Sequence, residues 1–333
     1  MASYLVTGGA GFIGSHLTEE LVRRGHAVRV ADNLATGKRR NLDHISGVEF
    51  LEGDLGDLPF AQRAVAGMDF VLHQAAIPSV PKSVMDPIAS NRANADATLN
   101  VLVAARDAGV KRLVFAGSSS EYGNAPTLPK REDMPASPLS PYALQKVVGT
   151  EYCQMFYRLY GFETVVTRYF NVFGPRQDPS SAYSGVISLF ATALIARRRP
   201  IIYGDGEQTR DFTYVANVVD GVLRACEAPP AAAGEAINVA CGTRISLNQL
   251  LTTMNRIVGT KLEAVYEDER LGDVKDSQAD ISKARTLLGY VPTVDLEQGL
   301  RSTLEWCQRE SAAAAAGGAP AYGATTTAPK RSS

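Results

Sequence analysis

Histidine is scarce in this chain and confined to its start: His16, His26, His44 and His73 are the only four. A His-dependent triad or a His-rich metal centre is therefore not expected, and the acid–base group must be sought among other residue types. Cysteine is as sparse. Cys153, Cys226, Cys241 and Cys307 include no CxxC pair, which argues against a zinc site or a disulfide framework and for buried, reduced thiols, as in the cytoplasm. No apolar run approaches the roughly 18 residues of a membrane span. The opening MASYLVTGGA has neither the basic stretch nor the long apolar segment of a signal peptide. An excess of one charge is missing too. Lys+Arg number 34 against 35 Asp+Glu, for a net charge of −1, which is not the basic footprint of a nucleic-acid binder.

What is present is an ordinary globular composition, 45% apolar and 21% charged over 333 residues, enough for two domains or one large α/β domain. Tyr4–Thr7, Ala27–Ala31, Val48–Leu51, Phe70–Leu72, Leu113–Phe115 and Thr164–Val166 read as buried strands. Between them, residues 12–24, 89–108 and 142–160 suit crossover helices. Strand–helix alternation with continuously apolar strands predicts an α/β fold, a doubly wound parallel sheet covered on both faces. After about residue 170 the rhythm loosens. Short strands are expected at 201–203 and 237–239, and helices near 185–198, 246–258 and 296–308. The expected division is a sheet domain over 1–170, a smaller, interleaved α/β region over 171–310, and a disordered tail over 311–333, where bulky apolar residues run out. No internal repeat is evident.

TGGAGFIGSHL follows the first strand and opens the first helix. Its glycines, Gly8, Gly11 and Gly14, allow a tight turn, close approach of backbone to a pyrophosphate, and close packing of helix on strand. Asp32 ends the second strand, where its carboxylate can bind both ribose hydroxyls and repel a 2′-phosphate. In this order the elements form a Rossmann-type dinucleotide site that favours NAD over NADP. Lys38, Arg39 and Arg40 admit the opposite choice, or simply a solvated loop, the plainer reading.

With these residues, GDL at 53–55, HQAA at 73–76, SSSEYG at 118–123, PYALQK at 141–146, RYFNVFGPRQDP at 168–179, YGDGEQTRDF at 203–212 and RLGDVKDSQADISKA at 270–284 complete a set of ordered motifs. Over residues 3–309 the chain resembles the extended short-chain dehydrogenase/reductase family, and within it the NAD-dependent nucleotide-sugar 4-epimerases that act on UDP-galactose and UDP-N-acetylglucosamine. The resemblance implies NAD contacts from Gly8, Gly11, Phe12, Ile13, Gly14, Asp32, Asn33, Asp54, Leu55, Gln74, Ala75, Ala76, Asn94, Tyr142 and Lys146. It implies UDP-sugar contacts from Ser79, Ser118, Ser119, Tyr142, Asn171, Tyr203, Arg210, Arg270, Asp273 and Ser277, and no metal. Asn171 and the two arginines fall to the diphosphate, Asp273 to the uridine ribose, and Tyr203 to the uracil. Arginine suits phosphate because its planar fork donates paired bonds. A homodimer through the 89–108 and 142–160 helices is implied as well. The small stripe Val101, Ala104, Ala105 and Ala108 serves either that interface or packing on the sheet.

Tyr142 and Lys146 form YxxxK, whose i,i+4 spacing sets both on one helix face. A phenol of pKa ~10 is a poor base at neutral pH, and the neighbouring ammonium and nicotinamide charge are expected to lower it. By resemblance, Tyr142 takes the C4-hydroxyl proton as hydride passes to NAD, Ser118 binds O4, and hydride returns to the other face of the 4-keto sugar. Sister dehydratases and UDP-glucuronate decarboxylases carry a catalytic glutamate two residues before the YG tyrosine. Here that position is Ser120, and Glu121, one residue later on an extended backbone, should point elsewhere. Ser277 stands at the gate position where a tyrosine would exclude an N-acetyl group, so UDP-N-acetylglucosamine/UDP-N-acetylgalactosamine interconversion is expected. Pro78 replaces a glycine common before the SVP stretch of N-acetyl-preferring enzymes, which leaves UDP-glucose/galactose as a second activity. A UDP-glucuronate decarboxylase or 4-epimerase, and a non-catalytic NAD-binding sensor, are the alternatives. Glycan precursor supply is the expected setting.

Overall fold

The alternation read from the sequence becomes a seven-stranded, fully parallel sheet in a computed structural model that describes residues 1–179, 185–269 and 275–316. The strands are β1 (Ser3–Thr7), β2 (Ala27–Asp32), β3 (Val48–Glu52), β4 (Phe70–His73), β5 (Arg112–Ser118), β6 (Glu163–Tyr169), β7 (Val172–Phe173), β8 (Ile201–Tyr203), β9 (Thr209–Arg210), β10 (Thr213–Tyr214), β11 (Ala236–Val239), β12 (Ile245–Ser246) and β13 (Val265–Glu267). The α-helices are α1 (Phe12–Arg23), α2 (Leu58–Val65), α3 (Val80–Met85), α4 (Pro87–Asn91), α5 (Ala97–Asp107), α6 (Pro141–Tyr160), α7 (Val186–Ile195), α8 (Val215–Glu227), α9 (Leu247–Val258), α10 (Ser282–Leu288) and α11 (Leu296–Ala316). The main sheet runs β11-β6-β5-β4-β1-β2-β3, the doubly wound order with one strand added at its far edge.

Both faces of the sheet are covered, which is why the interiors of its central strands are mostly apolar. On one side Leu17 and Leu21 of α1, Val218 and Val222 of α8 and Leu288 of α10 meet Tyr4, Val6 and Val30. On the other, Ala61 and Val65 of α2, Val101, Leu102 and Ala105 of α5, and Cys153 and Phe156 of α6 meet Leu5, Val71, Leu113 and Phe115. A third core, with Phe190 and Leu194 of α7, Leu250 and Met254 of α9 and Leu304 of α11, forms the smaller unit beside the strand ends.

Three details differ from the sequence reading, and one decides between alternatives it left open. β11 pairs in parallel with β6 and α8 packs in the sheet core, so the sheet does not end at residue 170. The expected 89–108 helix is interrupted by a π-helical turn, Arg92–Asp96, between α4 and α5, where the Asn94 side chain bonds to groups outside the helix. Val101, Ala104 and Ala105 are buried against the sheet, so this stripe packs inward; Ala108 lies beyond the end of α5. α11 continues to Ala316, past the tail boundary expected at 310. No helix among the described residues is long and apolar enough to cross a membrane. The cysteines are free, Cys241 only half-buried.

Candidate active site

The carboxyl ends of β1, β2, β4 and β5 open into a cavity of about 640 Å³, the place where this topology binds ligands. Gly8, Gly11, Phe12, Ile13, Gly14, Asp32, Asn33, Asp54, Leu55, Gln74, Ala75, Ala76, Ser79, Tyr142 and Lys146 all line it. The glycine turn is sterically closed. A Cβ on Gly8, whose φ is +64°, would lie 2.8 Å from Ala75, and one on Gly14 would lie 2.2 Å from the Gly8 carbonyl. Gly11 caps α1 without a side chain, so the first N–H groups of that helix face the cavity with its positive end.

Asp32 completes this half. Its carboxylate accepts the Ala10 N–H at 3.0 Å and the Leu34 N–H at 2.8 Å, and burial pushes its pKa up. Gln74, whose Oε1 accepts the Tyr169 hydroxyl at 2.9 Å, has a buried Nε2 donor without a protein partner. A closed glycine turn, an open helix end, an acidic strand end and a spare buried donor fit a dinucleotide. The three cations of the adjacent loop all have partners, and Lys38 and its partner Asp178 both line the cavity. Lys38 pairs with Asp178 at 2.6 Å, Arg40 with Glu310 at 3.7 Å, and Arg39 lies 4.0 Å over the Phe50 ring. Arg176, at φ +68°, also lines the cavity and reaches Ser15 and Glu19 of α1; this contact was not read from the sequence.

Asn94 is the exception among the expected cofactor contacts. It is 3% exposed and sits behind the cavity wall, where Oδ1 accepts the Ile77 N–H at 2.7 Å and Nδ2 donates to Gln145 Oε1 at 2.8 Å. It braces the 75–79 loop against α6.

The reacting corner forms where β5 ends at Ser118. Ser140 caps α6 and Pro141 takes its first position, and the Tyr142 N–H donates to Ser83 Oγ at 3.1 Å, seating the tyrosine beside Ser118. Ser118 lies near enough to the Tyr142 phenol to pull its pKa down. Ser118 Oγ also accepts from Ser120 Oγ at 2.8 Å and Ser120 N at 3.2 Å, which leaves its own proton for a partner across the site. Ser119 opens the following 3-10 turn, Ser119–Tyr122. Lys146 Nζ donates to the Ala116 carbonyl at 2.8 Å and lies 4.8 Å over the Phe115 ring and 5.9 Å from the Tyr142 ring.

Electrostatics depart from expectation. Burial pushes the Tyr142 phenol up to about 12, while the nearby Ser118 hydroxyl pulls it down. Burial lowers Lys146 to about 8, and the Glu121 carboxylate opposes that. The expected lowering of the phenol is absent: the Glu121 carboxylate adds to the rise, and Lys146 is not among the groups that shift the phenol. Glu121 is a second correction. Its backbone is not extended but in the 3-10 turn, with the side chain folded back in a capping box with Ser118. The carboxylate is 1% exposed and pairs with Arg168 at 3.0 Å, so it does point away from the cavity, though for a different reason.

Asn171, Arg210 and Ser277, three of the residues expected to contact a UDP-sugar, gather around β9. Asn171, at φ +36°, donates from Nδ2 to the Asp211 carbonyl at 3.1 Å and to Ser277 Oγ at 3.2 Å. Ser277 is 8% exposed, and its N–H donates to the Thr209 carbonyl at 3.0 Å. Arg210 Nη1 donates to the Thr209 and Lys275 carbonyls at 2.9 and 2.8 Å. Tyr203 ends β8. Arg270 and Asp273 lie outside the described residues. Ser83, Thr150, Arg168 and Arg176 were not singled out by the sequence reading, and Ser120 was read only as standing where sister enzymes carry a glutamate. Only Thr150 carried a signal, its helical register with Tyr142 and Lys146.

Residues 4–240 match the model of the NAD dependent epimerase/dehydratase family. The chain is 39% identical over 312 residues to UDP-glucose 4-epimerase of Mycolicibacterium smegmatis, covering 92% of this chain and 99% of that one. It is 38% identical over 309 residues to a putative UDP-glucose 4-epimerase of Methanocaldococcus jannaschii, with the same two coverages, 92% and 99%. UDP-glucuronic acid decarboxylase 1 of Xenopus tropicalis is 33% identical, over 92% of this chain and 72% of its own. Among solved structures, UDP-N-acetylglucosamine 4-epimerase of Methanobrevibacter ruminantium M1, in complex with UDP-N-acetylmuramic acid, superposes with a TM-score of 0.88 at 38% identity, covering 92% and 97% of the two chains. The chain belongs to the NAD dependent epimerase/dehydratase family, and its glycine turn, Asp32 and spare Gln74 donor fit the cofactor in the family's name.

Proposed function

We propose that the protein is a UDP-hexose 4-epimerase that keeps NAD through turnover and interconverts UDP-N-acetylglucosamine and UDP-N-acetylgalactosamine, with UDP-glucose/galactose as a second activity. The observation that carries this reading is Tyr142 in the wall of a dinucleotide cavity, beside Ser118 at the end of β5, with the acid adjoining that corner, Glu121, folded into the core. That constellation moves a hydroxyl proton but offers no carboxylate for a carbon acid or a leaving water.

When bound, NAD supplies the hydride acceptor for C4 and a positive ring beside the phenol. Tyr142 then takes the C4-hydroxyl proton at Oη, with Ser118 Oγ as the partner that holds O4. Lys146 remains mostly charged at pH 7 and stabilises the phenolate through the low-dielectric site. The resulting 4-keto sugar turns within the site while its UDP half stays anchored, and C4 regains hydride on the other face. In this reading Asn171 and Arg210 hold the diphosphate together with Arg270, Asp273 holds the uridine ribose, and Tyr203 stacks on uracil. The small, buried Ser277 next to Asn171 supports room for an N-acetyl group. Exposed Leu144, Met155 and Leu159, on one face of α6 by their spacing, support a homodimer through that helix.

The decarboxylase reading is disfavoured by Glu121, the UDP-glucuronate 4-epimerase reading by Asn171, and the sensor reading by the intact Tyr142–Lys146 pair. Purified protein, given each UDP-sugar without added NAD, tests the choice. Formation of UDP-N-acetylgalactosamine from UDP-N-acetylglucosamine is expected. Carbon dioxide from UDP-glucuronate, or no 4-epimer from either UDP-N-acetylglucosamine or UDP-glucose, overturns the proposal.

A further inference from the structure

Glu121 has no part in the chemistry above, yet its carboxylate joins three elements of the site. Oε1 accepts the Ser118 N–H at 2.9 Å; Oε2 accepts the Thr150 hydroxyl and Arg168 Nε, each at 3.0 Å. Thr150 follows Lys146 by one helical turn, as Lys146 follows Tyr142, so one face of α6 carries all three. Arg168, on β6, extends the network to the Tyr122 hydroxyl at 3.0 Å, which donates to Asn238 Oδ1 at 2.7 Å. Glu121 and Arg168 are 1% and 8% exposed. Burying such a pair costs desolvation, and apolar residues of the same volume serve stability as well or better. Stability alone therefore does not account for it, whereas a fixed geometry does.

We propose that Glu121 is a positioning residue for epimerisation: it ties the Ser118 backbone to α6 and to β6 and so sets where the Ser118 hydroxyl stands relative to Tyr142, the two groups between which the C4-hydroxyl proton moves. The proposal rests on the 4-epimerase reading. The two anchors divide the work. Ser120 holds the Ser118 hydroxyl and Glu121 holds its main chain, which leaves the serine one orientation. The titratable and charged groups around the carboxylate are Arg168 on β6, Tyr122 on its own turn, and Tyr142, Lys146 and Cys153 on α6. The negative charge raises Tyr142, Lys146 and Cys153 alike.

The test compares full-length wild type, Glu121→Gln and Thr150→Val for bound NAD, KM for the UDP-sugar, kcat and the pH dependence of kcat. Thr150→Val cuts only the tie to α6 and keeps the test decisive if Glu121→Gln does not fold. In Glu121→Gln, kcat is expected to fall about 10- to 100-fold, the size of a small misplacement of reacting groups. KM and NAD content should stay within about twofold, and the pH–kcat profile should move to lower pH, because a nearby negative charge is gone. Thr150→Val should lower kcat about threefold to tenfold, the worth of one buried hydrogen bond. Unchanged kcat in either folded variant overturns the proposal. So does a fall in kcat that comes with lost NAD and an unshifted pH profile, the mark of a merely structural role. A wild type that holds NAD and epimerises nothing refutes the 4-epimerase reading itself, which separates the two failures.

Discussion

Tyr142 shows what a single residue owes to its surroundings. Its pairing with Lys146 was legible because i,i+4 spacing is local, but its proton affinity was not. Burial is set by chain segments far away, and it raises the phenol to about 12. Glu121 makes the same point in geometry: alternation along a strand was the wrong premise once β5 ended in a 3-10 turn. Tyr142→Phe removes the proton acceptor and keeps the ring, so turnover should fall by about 10²–10⁴-fold while bound NAD, released and quantified, stays at the wild-type level. Undiminished turnover would reject the assigned base. Ser277→Tyr places a ring where a buried hydroxyl meets Asn171. N-acetylated substrates should lose about tenfold or more relative to plain hexoses, and equal losses in kcat/KM would reject the gate.

At the scale of elements, helix limits were readable wherever caps are local. Ser140 with Pro141 starts α6 and Gly161, at φ +64°, ends it. The π-helical turn between α4 and α5 was not readable, because its cause is the reach of Asn94 to Ile77 and Gln145, distant in sequence. Strand pairing is non-local in the same way. Residues 237–239 looked strand-like, but nothing local says that they extend the main sheet beside β6. Asn94→Ala removes the acceptor of the Ile77 N–H and one of the two donors to Gln145 Oε1, with an expected loss of about 1–3 kcal/mol by chemical denaturation and easier loss of NAD on gel filtration. Wild-type stability and NAD retention in that variant would show that the turn does not support the cavity.

Across the whole molecule, the paucity of histidine acquires a use. His73 lies in the core between Thr7 at 2.7 Å and Thr98 at 3.0 Å, and burial lowers it from 6.5 to about 3; burial likewise lowers His16 to about 4. Below pH 6.5 the unfolded chain takes up protons that these folded histidines refuse, so their contribution to stability falls as pH falls. Asp211, raised by burial to about 7, acts in the opposite sense, because there the folded state binds the extra proton. The comparison with His73→Leu isolates the histidine. Between pH 6 and 4 the slope of unfolding free energy should be shallower in the variant by about one proton, roughly 1.4 kcal/mol per pH unit. Identical slopes would contradict the buried, neutral assignment.

The central claim is that C4 is oxidised and reduced within one bound complex. UDP-N-acetylglucosamine carrying deuterium at C4, incubated with purified protein and no added nucleotide, tests it most directly. The account predicts UDP-N-acetylgalactosamine with the deuterium still at C4. Loss of the label to water, or no 4-epimer at all from protein that holds its NAD, would contradict it.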